Sequence, residues 1–130
     1  MKTPVVPSPT PPLGLSDAQL HEVELIRAFV VPSKRNLDSR FIQSIPPAKQ
    51  TGKAIEQLLC IKGSPVTCYA ISMDPSIDGR FLPLKEALAT VVGYGIGTFL
   101  SCLPGKLGYF EGESAGQRFI LERPFRDRRP

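Results

Sequence analysis

The spacing of apolar residues changes near the middle of the chain, and this change constrains the fold more than any other sequence feature. Before Gly63, apolar residues recur every three or four positions, which is typical of helices that bury one face. After Val66, they form short runs separated by turns rich in glycine and proline, which is typical of strands. The sequence therefore predicts an α+β domain whose first half is helical.

Three helices are predicted in the first half. The first begins after Ser16, which heads a capping box, and ends before Pro32. A second is predicted from Lys34 to Gln43 because its apolar residues are four positions apart. The third begins after Thr51 and ends at Gly63, which supplies the left-handed residue that follows many helices.

Four strands are predicted in the second half, with one helix inserted after Pro83. The strands are predicted at Val66–Met73, Ile96–Leu103, Leu107–Gly112 and Gln117–Arg123. The last three should form an antiparallel meander because their connections are too short for a parallel crossover. The 22 residues from 74 to 95 are long enough for a right-handed crossover, which predicts that the first two strands are parallel.

These elements predict N-terminal helices plus a four-stranded, mostly antiparallel sheet with one inserted helix, and helices mainly on one face. Residues 1–14 hold five of the fourteen prolines and are expected to be a disordered proline-rich leader. Residues 15–123 are expected to be a single domain. Residues 124–130 are expected to be a basic flexible tail.

Several classes of protein are disfavoured by composition. The longest nearly apolar run, Ala87–Leu103, is interrupted by glycines and is shorter than the roughly 20 apolar residues of a membrane span. The three cysteines have neither an even number nor metal-ligand spacing. We therefore expect reduced thiols, a cytoplasmic location, no metal, no cofactor and no membrane partner.

Positive charge is concentrated in two places. The net charge is +4, to which residues 34–62 contribute +4, the last eight residues +3 and the remainder −3. Such a distribution attracts polyanions, although a basic terminus can equally serve solubility. The candidate partner-binding residues are Lys34, Arg35, Arg40, Arg126, Arg128 and Arg129.

No strong catalytic constellation is found, and three residues are weak candidates. Glu111 and Glu113 flank Gly112 at a strand end, where paired carboxylates can act as acid and base. Cys102 precedes a Pro-Gly turn and has Lys106 nearby in sequence, as a reactive thiolate would need. The alternative is that free cysteines in strands are buried apolar residues.

Three further patterns are interpreted as structural. His21 is expected on the exposed side of the first helix. The glycines of residues 93–97 follow a helix, whereas a dinucleotide-binding loop precedes one. Residues 74–79 resemble the start of a calcium loop, but Lys85 stands where a bidentate glutamate is needed, so we expect a simple turn.

Three functional hypotheses follow. The first is a small non-catalytic binding or regulatory module that acts through a protein partner. The second is association with nucleic acid through the basic helical segment and the arginine-rich tail. The third is a small enzyme that uses the glutamate pair or Cys102.

Overall fold

The computed structural model describes residues 15–31, 33, 36–114 and 116–123. Within these ranges the chain forms α-helices, one six-stranded antiparallel sheet and one two-stranded sheet. The helices are α1 (Asp17–Phe29), α2 (Gly52–Ile61) and α3 (Leu84–Val91). The small sheet contains β1 (Val30–Val31) and β2 (Asn36–Leu37). The strands of the large sheet are β3 (Ile42–Ser44), β4 (Thr67–Ser72), β5 (Arg80–Pro83), β6 (Thr98–Leu103), β7 (Leu107–Glu111) and β8 (Arg118–Glu122).

The predicted meander of the last three strands is confirmed, but the predicted sheet is too small. The strand order is β3-β8-β7-β6-β4-β5, and every neighbouring pair is antiparallel. The predicted parallel pair is wrong, because β4 and β6 run antiparallel with Tyr69 opposite Ser101. The physical reason is that the chain reverses in the turn at residues 74–79 and forms β5 before α3 begins, so β4 and β6 are not joined by a simple helical crossover.

The first and third predicted helices are confirmed. The backbone N–H of Gln19 donates to the Ser16 hydroxyl at 3.1 Å, and the Gln19 side chain accepts from the Ser16 N–H at 2.9 Å. The Thr51 hydroxyl caps α2 by accepting from the Ala54 N–H at 3.2 Å. Gly63 has a φ of 104°, which favours glycine after a helix.

The second predicted helix is wrong where the structure describes it. Its residues form β2, a 3-10 turn at Ser39–Phe41 and the start of β3. Pairing in two sheets replaces helical hydrogen bonds here, since Leu37 pairs with Val30 and Ile42 pairs with Leu121. Along this irregular path Leu37 and Phe41 pack in the α1 cluster, whereas Ile45 packs in the cluster on the opposite face of the sheet.

Helices cover the two faces of the large sheet unequally. The predicted arrangement on one face holds for α2 and α3, whose Ile55, Leu59 and Leu88 pack on that face of the sheet. Helix α1 lies on the opposite face, where Leu25 and Phe29 pack in a separate cluster. The architecture is therefore helix–sheet–helix.

The predicted leader and tail, residues 1–14 and 124–130, lie outside the described residues. The limits of the domain therefore stay predictions. Across the described part of the chain, no helix has both the length and the apolar character needed to cross a membrane.

Candidate functional site: an apolar surface beside helix α1

A row of apolar side chains crosses four strands on the α1 face of the sheet. The register places Ile71 opposite Phe99, Phe99 opposite Phe110, and Phe110 opposite Phe119. The ring centroids of Phe99 and Phe110 are 4.8 Å apart, and those of Phe110 and Phe119 are 6.3 Å apart. All four side chains are only partly buried. The row is therefore a packed aromatic surface that still reaches solvent.

Helix α1 covers the sheet beside this row without closing over it. Its buried residues Leu25, Ala28 and Phe29 pack with Leu121 of β8. Val23 and Ile26 remain 45% and 55% exposed. Residues three or four positions apart lie on the same side of a helix. Val23 and Ile26 therefore form one apolar flank of α1, on the same side as Val30 at its end.

A cavity of about 400 Å³ lies between Val30, which directly follows α1, and the aromatic row. Two amide side chains, those of Asn36 and Gln117, line it, and none of its described lining residues is charged. Its apolar lining is Val30, Leu37, Ile42, Phe99, Phe110 and Phe119. We call this cavity the phenylalanine groove. Its volume and lining suit apolar side chains of a ligand.

The sequence contained the signal for this groove only in part. Phe99, Phe110 and Phe119 alternate with residues of the opposite core, as apolar residues do in strands buried on both faces. That pattern predicts strands, and the meander predicts their order. Alignment of the three rings also depends on the pairing register, which the sequence left open.

The candidate Glu111 is a fully buried carboxylate with several partners. Its oxygens accept from the backbone N–H groups of Gly93 at 3.1 Å and Gly95 at 2.8 Å, and from the Tyr109 hydroxyl at 2.7 Å. The Arg118 Nε lies 3.7 Å away. Burial and this carboxylate together raise the pKa of Tyr109. Glu111 thus holds the glycine-rich turn after α3 in place.

The other two catalytic candidates lie in different surroundings. Glu113 is exposed beyond the end of β7, whereas Glu111 is buried, and their joint role as acid and base stays a prediction. Cys68 and Cys102 are both buried, as the alternative interpretation of free cysteines in strands predicts. Burial raises the pKa of Cys102 to about 11 and that of Cys68 to about 12. Cys102 is therefore a protonated thiol at neutral pH.

His21 is partly buried and does not lie on an exposed side of α1 as expected. Its ring lies 5.6 Å from that of Tyr69 and 5.4 Å from that of Phe81, and its Nδ1 is 2.6 Å from the Ser101 hydroxyl oxygen. Burial lowers the pKa of His21. The Tyr69 hydroxyl donates to the carboxylate of Glu22. These contacts pack the first half of α1 against β4, β5 and β6.

Of the candidate partner-binding residues, the structure describes Arg40. Its guanidinium pairs with the Asp38 carboxylate at 2.7 Å and lies 4.9 Å from the centre of the Phe41 ring. The hydrogen bond from Arg40 lowers the pKa of Asp38 to about 2. The other candidates, Lys34, Arg35, Arg126, Arg128 and Arg129, lie outside the described residues.

Among the described residues, no group of three or more His, Cys, Asp and Glu side chains could bind a metal ion.

Comparison with known proteins finds no matching family model, no matching curated protein and no matching solved structure.

Proposed function

We propose that the chain is a small non-catalytic binding module, and that an amphipathic segment of another protein covers the phenylalanine groove. The observation that supports this most directly is the exposed apolar surface itself. Small soluble proteins rarely expose contiguous apolar side chains without a use for them. Here Val30 lines a groove of about 400 Å³, and the exposed Val23 and Ile26 lie on the same side of α1 as Val30.

The chemistry of the groove favours a protein segment as its occupant. None of the described lining residues is charged, so binding here must draw its free energy from apolar burial. A peptide supplies that with two or three apolar side chains on one side, as in helix-in-groove recognition. The amides of Asn36 and Gln117 can fix its orientation through hydrogen bonds to its backbone.

The alternatives draw less support from the described residues. An enzyme that uses Glu111 or Cys102 would need substrate to reach side chains that are buried in the domain. A nucleic acid would need cations around the aromatic rings, and the described groove lining has none.

The three cysteines are free, which supports a location in the reducing cytoplasm.

The test is to select peptides from a random display library on the full chain and to measure their affinities after purification. We expect ligands with two or three apolar residues on one side and Kd values on the order of 1–100 μM. Ile26→Lys should weaken binding about tenfold because it places a charge against the apolar contact.

Ile61→Lys provides the matched control for this test. Ile61 is 84% exposed, but it belongs to α2 on the opposite face of the sheet. Its substitution should leave peptide affinity unchanged. Equal weakening by both variants, or peptides that bind independently of Ile26, would refute the proposal. Sedimentation of the wild-type chain as a dimer that Ile26→Lys dissociates would assign the groove to a second copy instead.

A further inference from the structure

The uncovered row of apolar side chains has the length of a short helix. The row Ile71, Phe99, Phe110 and Phe119 crosses β4, β6, β7 and β8, which are consecutive neighbours in the sheet. Neighbouring strands lie about 4.8 Å apart, so the row is about 14 Å long. A helix rises about 1.5 Å per residue, so about ten helical residues, or three turns, span the row.

The opposite face of the sheet shows how helices cover these four strands. There α2 and α3 pack beside each other and together bury apolar residues of β4, β6, β7 and β8. On the open face α1 alone packs against β4, β6 and β8, and the row lies beside it across the same strands. A partner helix beside α1 would therefore complete a second layer of two helices.

The end of the row next to β5 is acidic. Glu22 lies one turn before Ile26, on the same side of α1, and accepts from the Tyr69 hydroxyl. Asp78 lies in the turn between β4 and β5. The hydrogen bond to Glu22, together with burial and the negative charges of Glu22 and Asp78, raises the pKa of Tyr69 to about 12. Both carboxylates therefore lie near one hydroxyl, whose residue is two positions from Ile71 along β4.

The hydrogen bonds of these two carboxylates leave their negative charges in place. Glu22 accepts from a neutral hydroxyl, and Asp78 accepts from the backbone N–H of Ser72 at 2.9 Å. Neither carboxylate belongs to the ion pairs that the described residues form. Arg80 lies opposite Ala70, whose side chain packs in the core of the other face, so Arg80 points away from them. An apolar row with negative charge at one end is complementary to an amphipathic helix with positive charge at the matching end.

We propose that the segment covering the phenylalanine groove is an amphipathic helix of about three turns, with a basic residue at the end that lies next to Glu22 and Asp78. This inference rests on the proposed function, because it specifies the partner of the same groove. Apolar side chains supply the affinity of such a helix. The charge fixes the direction in which the helix lies across the strands.

The test compares synthetic helical peptides, whose binding to the full chain is measured by fluorescence anisotropy at low ionic strength. Each peptide has about 16 residues, because shorter helices are marginally stable in isolation, and carries three leucines on one side. The peptides differ only at their two ends, which both carry Lys, Gln or Glu, so either direction of binding brings a varied residue to the acidic end. We expect the lysine peptide to bind about three- to fivefold more tightly than the glutamine peptide, and the glutamate peptide to bind most weakly.

The net charge of the chain makes this order informative. The chain carries a net charge of +4, so attraction to net charge alone would favour the glutamate peptide. Preference for the lysine peptide therefore reports a local negative charge at the binding surface.

Neutral variants of the two acidic residues test where that charge lies. Glu22→Gln combined with Asp78→Asn removes both negative charges and keeps an oxygen that can accept each hydrogen bond. The combined variant should lose the preference for lysine, while its affinity for the glutamine peptide stays within about twofold. Asp78→Asn alone, at an exposed position, should lower the preference and keeps the test valid if the combined variant does not fold.

Glu86→Gln is the control of equal charge change. Glu86 is exposed in the first turn of α3, on the opposite face of the sheet. This variant should keep the full preference for the lysine peptide. An equal loss of preference in Glu86→Gln would show that Glu22 and Asp78 have no special role and would overturn the proposal.

The helical conformation is tested by a lysine peptide with proline in place of one central residue. Proline removes a helical hydrogen bond and clashes with the preceding turn, so binding should weaken at least about tenfold. Unchanged affinity would mean that the partner binds in an extended conformation and would overturn the proposal.

Failure of this inference can be distinguished from failure of the proposed function. Equal affinities for the three peptides, each weakened by Ile26→Lys, would overturn the basic end and leave the groove as a binding site. Tighter binding of the glutamate peptide would do the same. If none of the three binds while the selected library peptides still depend on Ile26, the helical partner alone is wrong. If the library peptides also bind independently of Ile26, both proposals are wrong.

Discussion

The two faces of the six-stranded sheet differ in how completely their side chains are covered. On one face, α2 and α3 close over a core in which Leu59, Leu100 and Tyr109 are inaccessible to solvent. On the other face, α1 alone covers part of the sheet and leaves Phe99 and Phe110 partly exposed. The first face therefore contributes mainly to stability, whereas the second retains apolar area that folding does not bury.

The largest expected effect concerns the buried carboxylate on the closed face. Glu111→Ala removes the acceptor of two backbone N–H groups and of the Tyr109 hydroxyl, and it leaves Arg118 without its nearby carboxylate. We expect the free energy of unfolding to fall by about 3–5 kcal/mol in urea denaturation. The control Glu113→Ala, at an exposed position, should change it by less than about 0.5 kcal/mol. A small loss for Glu111→Ala would show that the closed face does not depend on this carboxylate.

The cysteines test how tightly the closed face excludes solvent. Cys60 is exposed on α2, whereas Cys68 and Cys102 are buried beneath the helices. Ellman's reagent should react with Cys60 at once and with the other two at least about a hundredfold more slowly, because they must wait for local opening. Fast reaction of two or three thiols would contradict this and would favour Cys102 as a nucleophile.

Truncation of one large apolar residue on each face should destabilise the domain to different extents. Leu59→Ala creates a cavity in the closed core and should cost about 3 kcal/mol of unfolding free energy. Phe110→Ala removes a larger side chain that is already partly solvated, so we expect only about 1–2 kcal/mol. Urea denaturation measures both. Equal costs would mean that the aromatic row is as much a part of the core as Leu59.

A smaller effect is expected from pH at the anchor of α1. Burial lowers the pKa of His21 below its ordinary value of 6.5, so the unfolded chain takes up this proton at a higher pH than the folded one. Asp17, on the same helix, opposes the shift, and Glu22 and Tyr69 lie in the same cluster. Stability should therefore be complete above the ordinary pKa and should fall as the pH decreases through it.

Urea midpoints measured from about pH 7.5 to pH 5.5 test this effect. His21 is the single histidine of the chain, so His21→Gln should remove most of the slope in that range. Asp38, with its pKa of about 2, titrates well below it. An unchanged slope in His21→Gln would show that another group is responsible.

Local signals predicted the parts of the fold that depend on neighbouring residues. Ser16, Thr51 and Gly63 determine helix ends through contacts within four residues, and the structure confirms all three. The edge strand β3 was missed because its pairing partner, β8, is distant in sequence. The edge strand β5 was missed although it pairs with the preceding strand β4, because its four residues are mostly exposed and show little apolar pattern. Pairing of Ile42 with Leu121, for example, outweighs the helical spacing of the segment.

The candidate site shows the same difference between local signals, which the sequence contains, and long-range contacts, which it does not. Apolar character at Phe99, Phe110 and Phe119 could be read from the sequence, but their common row depends on register across β6, β7 and β8. The groove also takes lining residues that are far apart in sequence, such as Val30 and Phe119. It could not be assembled without the tertiary fold.

The most direct test of the difference between the two faces is chemical-shift mapping of the isotope-labelled chain with a selected peptide. The uncovered face predicts that the largest shifts fall on Ile26, Phe99, Phe110 and Phe119, while the core residue Leu59 shows little change. Shifts concentrated on α2 and α3 instead would contradict the claim that the incompletely covered face is the binding surface.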